Sequence, residues 1–251
     1  MSTPQLPHLM VLDDAQAVVV RAAEELTHIS GEAICTHGQF TVALSGGSTP
    51  AAMYELLATR FRLSVDWKEV QFFFGDERCV PPDDGSSNYG MANRAMLSPL
   101  GIKPAQVHRI KGELKPQDGA IAYEEELRKF FSLGGGEFPR FDLVLLGLGA
   151  NAHTASLFPG DPAIRESARM AVAVEVDDPV ARHRISLTPP VLNNATRIMF
   201  VAHGANKAAA VHQTLEGPRD PDRFPAQIVA PPNGEVIWIL DRHAAGRLSG
   251  R

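Results

Sequence analysis

Between Asp14 and Gly38 the apolar residues Val19, Ala22, Leu26 and Ile29 recur at steps of three and four, the spacing of a helix with one buried stripe. A short β-forming run, Phe40 to Leu44, follows. After the turn Ser45-Gly46-Gly47-Ser48-Thr49-Pro50, a new helical stripe starts at Met53, Leu56 and Leu57. The alternation continues with a strand at Val70 to Phe74, a helix at Gly119 to Phe131 and a strand at Phe141 to Leu146. Further strands are predicted at Met170 to Val174, Ile185 to Thr188, Arg197 to Ala202 and Val236 to Leu240, with a helix at Ala205 to Leu215. Strands alternating with helices predict a mostly parallel, twisted sheet covered on both faces: a three-layer α/β/α, Rossmann-like fold. Ligands of such sheets bind where strands end and helices begin. Cys79 to Asn88 and Gly134 to Pro139 read as exposed loops. No linker breaks the pattern, so residues 1–251 are expected to form one domain.

Composition narrows the class. With 44% hydrophobic residues in 251, the chain can bury one large core. Its apolar runs fall well short of the roughly 20 residues that span a bilayer. Met1 to Leu9 lacks the basic and apolar regions of a secretory signal, which leads to an expected cytoplasmic location. A net charge of −5 offers no basic face, so no nucleic-acid partner and no membrane partner are expected. Cys35 and Cys79 are too far apart for a metal or redox pair and read as reduced, partly buried thiols.

In Ser45 to Pro50, Gly46 and Gly47 can turn backbone N–H groups inward, and Ser48 and Thr49 add hydroxyl donors. With Pro50 at the first helical position, Thr49 is the predicted N-cap, and the positive helix end faces the turn. This is an anion cradle or a plain tight turn, but not a Walker loop, because the lysine is missing. Ser45 sits one residue short of a Gly-x-Ser-x-Gly elbow, yet only one helix precedes it and no acid and histidine follow in the expected order.

The run Gly147-Leu148-Gly149-Ala150-Asn151-Ala152-His153 leaves a predicted strand. It matches Gly-x-Gly-x-x-Ala, with Glu175 at a tolerable distance for a ribose contact, but Pro159, Gly160 and Pro162 break the helix that a dinucleotide needs. The glycines are better suited to letting the backbone pass close to a ligand, with His153 above it as a proton acceptor. Gly75-Asp76-Glu77-Arg78 follows another strand end, as a site element or a solvated turn. Arg184 and Lys207, the latter in the first turn of a helix, can reach the same edge and suit a phosphoryl group.

Taken together, Leu44 to Pro50, Gly75 to Arg78, Ser87-Asn88-Tyr89, His153 to Pro159 and Pro225-Ala226-Gln227 resemble the 6-phosphogluconolactonases, in the family's order and over nearly the whole chain. The resemblance implies hydrolysis of 6-phospho-D-glucono-1,5-lactone, a phosphorylated sugar lactone, without a required cofactor. A monomer is the working expectation for assembly. Carried over residue by residue, His153 is the implied general base and Arg78 an active-site cation near the sugar. Ser45, Gly46, Gly47, Ser48 and Thr49, with Arg184 and Lys207, are the implied phosphate set. Backbone N–H groups of the Gly147 to Ala152 turn are candidate donors to the developing oxyanion.

This chain has Asn151-Ala152 where the family often carries Asp-Gly. Asn151 can orient the imidazole through its amide oxygen without contributing charge, and Ala152 takes positive φ less readily than glycine. The related glucosamine-6-phosphate deaminases typically carry a Glu soon after the histidine. Ala155 to Pro159 holds no carboxylate, and Arg78 replaces a favoured aromatic. The alternative from another class is a sugar-phosphate-binding protein without catalysis.

Overall fold

The computed structural model describes residues 7–178 and 181–249. Six parallel strands form the main sheet in the order β1-β9-β8-β5-β2-β3. They are β1 (His8–Leu12), β2 (Phe40–Leu44), β3 (Val70–Phe74), β5 (Leu143–Leu146), β8 (Arg197–Ala202) and β9 (Glu235–Asp241). The helices are α1 (Ala15–His37), α2 (Ser48–Ala58), α3 (Asn88–Ala92), α4 (Ser98–Leu100), α5 (Pro116–Phe131), α6 (Pro189–Asn193) and α7 (Ala208–Leu215). They flank the sheet in the expected three-layer α/β/α arrangement. Strands covered on both faces read as unbroken apolar runs, and β2 and β5 are buried at every residue.

β1 lies at the edge beside β9, and the winding of the other five strands reverses at β2. From β2 the chain runs to β3 on one side, then returns to β5 on the other. The crevice beyond the carboxyl ends of β2 and β5 is therefore the switch point where open α/β sheets bind ligands. The turns after Leu44 and after Leu146 both open there.

Two buried tyrosines finish strands at this edge. Tyr54 of α2 accepts from the Ser45 amide (3.1 Å) and donates to the Ser45 carbonyl (2.9 Å). Tyr123 of α5 does the same for Phe74 (3.0 and 2.9 Å). Each phenol satisfies a backbone donor and acceptor that would be costly to bury unpaired, and burial pushes both phenols well above their usual pKa. At the opposite end, the Asp142 carboxylate accepts from the amide and hydroxyl of Thr41, both at 2.8 Å, and pins the start of β2. Phe141 and Asp142, read from sequence as strand, therefore precede β5.

The structure corrects the sequence reading elsewhere. β1 was not expected. Asp76–Arg78 is a strand, β4, and not a turn: it pairs antiparallel with β7 (His183–Leu187), which pairs antiparallel with β6 (Ala171–Glu175), forming a second, three-stranded sheet. Gly75 hinges the two sheets, since its amide donates to Leu44 of β2 and its carbonyl accepts from Leu187 of β7, both at 2.8 Å. Thr49 is not the cap of α2. Gly47 takes that place at φ 106°, a value open to glycine, so the helix begins at Ser48 and Pro50 stands third. The first four helical N–H groups lack intrahelical partners, so proline costs nothing there. The predicted helix from Ala205 begins as a 3₁₀ turn, Ala205–Lys207, before α7. Ser87 and Asn88, at the end of a predicted exposed loop, are buried, and Cys35 is exposed. Residues 1–6 of the segment read against a secretory signal lie outside the described residues.

No helix among the described residues is long and apolar enough to cross a membrane.

Candidate active site

A cavity of about 630 Å³ opens at the switch point. Its floor is the turn from Ser45 to Pro50, one wall is Gly147 to Ala150 with His153, and the other elements bring Arg78, Arg184 and Lys207. Every site residue predicted from sequence lines it except Asn151, which touches it through His153.

Asn151 and His153 share a tight turn. The Asn151 Oδ1 accepts from the His153 backbone amide (3.3 Å) and lies 2.6 Å from Nδ1. A backbone amide only donates, so Oδ1 must face it, and Nδ1 must then carry the ring proton. The lone pair of Nε2 is left free for a proton from elsewhere. Ala152 does adopt the left-handed conformation, with φ 61°, and Ala155 follows with φ 46°. Strain of this kind persists where the surroundings over-determine the turn: the Ala152 carbonyl accepts from Ala226 (2.9 Å) and the Ala152 amide donates to Gly149 (3.0 Å). The Pro225-Ala226-Gln227 motif thus braces the histidine turn. Gln227 in turn clasps the 213–220 segment, through bonds to Gln213, Pro218 and Asp220 of 2.7, 3.0 and 2.6 Å.

Electrostatics keep the imidazole neutral. Burial first, then the Arg184 and Lys207 cations, push its pKa down to about 4. Lys207 is itself lowered by burial. Arg184 is 9% exposed, and its Nη2 donates to Asp178 at 2.7 Å. It stands directly across from Arg78 in the β4–β7 pair. Two cations side by side, one with a single carboxylate partner, suit an anionic ligand. Arg78 donates through Nη1 to the Ser86 carbonyl (2.6 Å), while its buried Nε has no partner among the described residues.

The sequence reading assigned no site role to four polar residues of the cavity, Asp76, Asn88, His203 and Asn206. Asp76 is the only acid among the described residues that line it; its Oδ2 accepts from Ser156 (2.6 Å) and its carbonyl accepts from Asn88 Nδ2 (2.9 Å). Asn88 packs its Oδ1 against Gly46, where a Cβ would fall 1.9 Å away, so Gly46 has to be glycine for this contact. The Ser87-Asn88-Tyr89 motif also supplies the donors that hold buried Glu77. These residues were quoted as motifs, but their partners are up to 80 positions distant and periodicity carries no trace of them.

Two other readings fall away. Glu175, the ribose partner of the dinucleotide alternative, is exposed at the end of β6 and pairs with Arg182. Ser45 Oγ is buried with no partner among the described residues, so none of them activates it as a nucleophile. Of the turn amides suggested for an oxyanion, those of Gly149 and Ala152 already donate to His153 (2.8 Å) and Gly149 (3.0 Å). Among the described residues, no group of three or more His, Cys, Asp or Glu side chains is placed to hold a metal ion.

Fold and site together define a mostly parallel α/β protein with a glycine-rich turn, three cations and a neutral imidazole at its topological switch point. The chain belongs to the glucosamine-6-phosphate isomerase/6-phosphogluconolactonase family, whose profile matches residues 13–238. It is 39% identical to a 6-phosphogluconolactonase of Synechocystis over 96% of this chain and 98% of that one, and 38% identical to one of Nostoc over 95% and 97%. Among solved structures, the 6-phosphogluconolactonase from Trypanosoma cruzi superposes with a TM-score of 0.86 at 28% identity, covering 99% of this chain and all of that one.

Proposed function

We propose that the chain hydrolyses 6-phospho-D-glucono-1,5-lactone to 6-phospho-D-gluconate, with His153 as general base. The observation that carries this reading is the Asn151–His153 pair, which leaves Nε2 free to accept a proton above a cavity that also holds the cradle and its cations.

The Ser45 to Thr49 turn, Arg184 and Lys207 bind the phosphate and hold the ring across the crevice. Nε2 takes a proton from water as its oxygen adds to the lactone carbonyl carbon. Negative charge gathers on the carbonyl oxygen, and Arg78, held by Ser86, is the cation assigned to it. When the tetrahedral intermediate collapses, the ring C–O bond breaks and the imidazolium returns its proton to the departing alkoxide. The products are a free hydroxyl and a carboxylic acid, which releases its proton to solvent and leaves as the carboxylate. Without a carboxylate in Ala155 to Pro159, the site lacks the group assigned to ring opening in deamination.

The same reading takes residues 1–251 as one domain, working as a cytoplasmic monomer without a cofactor. The single domain is supported by a family match that runs from residue 13 to 238. The test is a coupled assay on freshly generated lactone, scored above its spontaneous hydrolysis, beside an ammonia assay on glucosamine-6-phosphate. Lactone turnover without ammonia release is the expected result. Binding of 6-phosphogluconate with neither activity would identify a sugar-phosphate-binding protein instead.

A further inference from the structure

We propose that Phe158 is a positioning residue for His153: its ring closes one face of the imidazole while also meeting the guanidinium of Arg184. The proposal rests on the reading of His153 as the base.

Phe158 stacks on His153 with ring centroids 4.2 Å apart and planes at 28°. The Arg184 Cζ lies 5.4 Å from the centroid of the same phenyl ring. Aromatic rings attract a guanidinium over their faces, so one side chain is shared between the base and a phosphate-binding cation. The backbone is folded to make this contact. Thr154 donates from Oγ1 to the Gly147 carbonyl (2.9 Å), and Leu157 closes a turn onto Thr154 (2.9 Å) around the left-handed Ala155. That reversal brings Phe158 back over a residue five positions earlier.

Geometry shows what the stack adds. An imidazole has two free torsions, and the Nδ1–H bond to Asn151 fixes one point of the ring while leaving it able to pivot about that bond. The phenyl face removes the pivot, so the direction of the Nε2 lone pair is set. A base must meet its proton within a few tenths of an ångström, and a misplacement of about 1 Å costs on the order of 100-fold in rate. The phenyl group also excludes water from one imidazole face. The charged and titratable groups around His153 are Arg184 on β7 and Lys207 before α7, with Asp76 and Arg78 of β4 and His203 after β8 lining the same cavity. None of these reproduces an apolar cover.

The experiment compares the native chain with Phe158→Leu and Phe158→Tyr. It measures kcat and KM across pH, and titrates His153 by NMR. Phe158→Leu is expected to lower kcat by about 10- to 100-fold with KM changed less than about threefold. Its imidazole should titrate higher than in the native chain, and Phe158→Tyr should restore both. An unchanged kcat and titration in Phe158→Leu would overturn the proposal, as would parallel losses in kcat and phosphate-ester affinity that tyrosine does not repair. If the native chain shows no lactonase activity, the functional reading fails by itself, and the NMR titration still decides whether Phe158 controls the imidazole.

Discussion

The amide of Gly149 donates to the carbonyl of His153 at 2.8 Å, and the same glycine leaves the space its imidazole needs: a Cβ at position 149 would stand 2.1 Å from Nδ1 and 2.3 Å from Cε1. Its φ is not in the left-handed region, so the requirement is close approach and not backbone freedom. Gly149→Ala should push the ring off Asn151. The expected loss in kcat is about 100-fold, with affinity for 6-phosphogluconate retained, as measured by steady-state kinetics beside calorimetric binding.

Asn151 makes a separable contribution. Asn151→Ala frees the tautomer and should lower kcat by about 10- to 1,000-fold with little change in KM. Asn151→Asp places a carboxylate on Nδ1–H and should raise the imidazole pKa. In the native chain, with its imidazole pKa lowered to about 4, the base is neutral above that value and is lost as pH falls through it. The acid limb of kcat/KM should therefore lie near 4, and in Asn151→Asp it should move to higher pH. A large loss of turnover at pH 7 in Asn151→Asp would contradict the orienting role.

In the proposed mechanism Arg184 and Lys207 act on ligand and base together. A phosphate dianion bound between them offsets the charge that depresses His153, so the acid limb of kcat should lie above that of kcat/KM. Removing either cation, as Arg184→Met or Lys207→Met, forfeits a charge-assisted bond of about 1.5–3 kcal/mol and should raise KM by about 10- to 100-fold. The kcat/KM limb should rise in pH at the same time.

How much of this was legible in the sequence depended on how local the cause is. The helix over Ala15–His37 announces itself through its stripe and through Gly38, which closes it at φ 81°. The glycines of the two turns that line the cavity, with His153, stand at strand ends of the parallel sheet, where the sequence put them. β1 was missed because five residues at a sheet edge, four of them only partly buried, carry little pattern. β4 was missed because Asp76, Glu77 and Arg78 read as a site element after a strand end or as a solvated turn, and not as a strand; their partners lie on β7, α3 and Ser156, which only the fold brings near. Thr49 was misjudged as the cap because Pro50 suggested a helix start, whereas Gly47 could reach the cap conformation earlier.

Glu77 offers a test of the fold behind the site. Its buried carboxylate accepts from the amides of Arg78, Asn88 and Tyr89 and from the Ser87 hydroxyl, at 2.7–2.9 Å. Burial outweighs these bonds and raises its pKa. Glu77→Gln would turn an NH₂ group toward one pair of donors. The expected cost is about 1–3 kcal/mol, read as a lower urea midpoint with an unchanged slope.

The central claim is that His153 transfers the proton while the Ser45 to Pro50 turn and its cations bind the phosphate. His153→Ala measures this directly: lactone turnover above the spontaneous rate, alongside the affinity for 6-phosphogluconate. The account predicts a fall in kcat of about 100-fold or more with affinity within about threefold of the native chain. Native-like turnover in His153→Ala would contradict it.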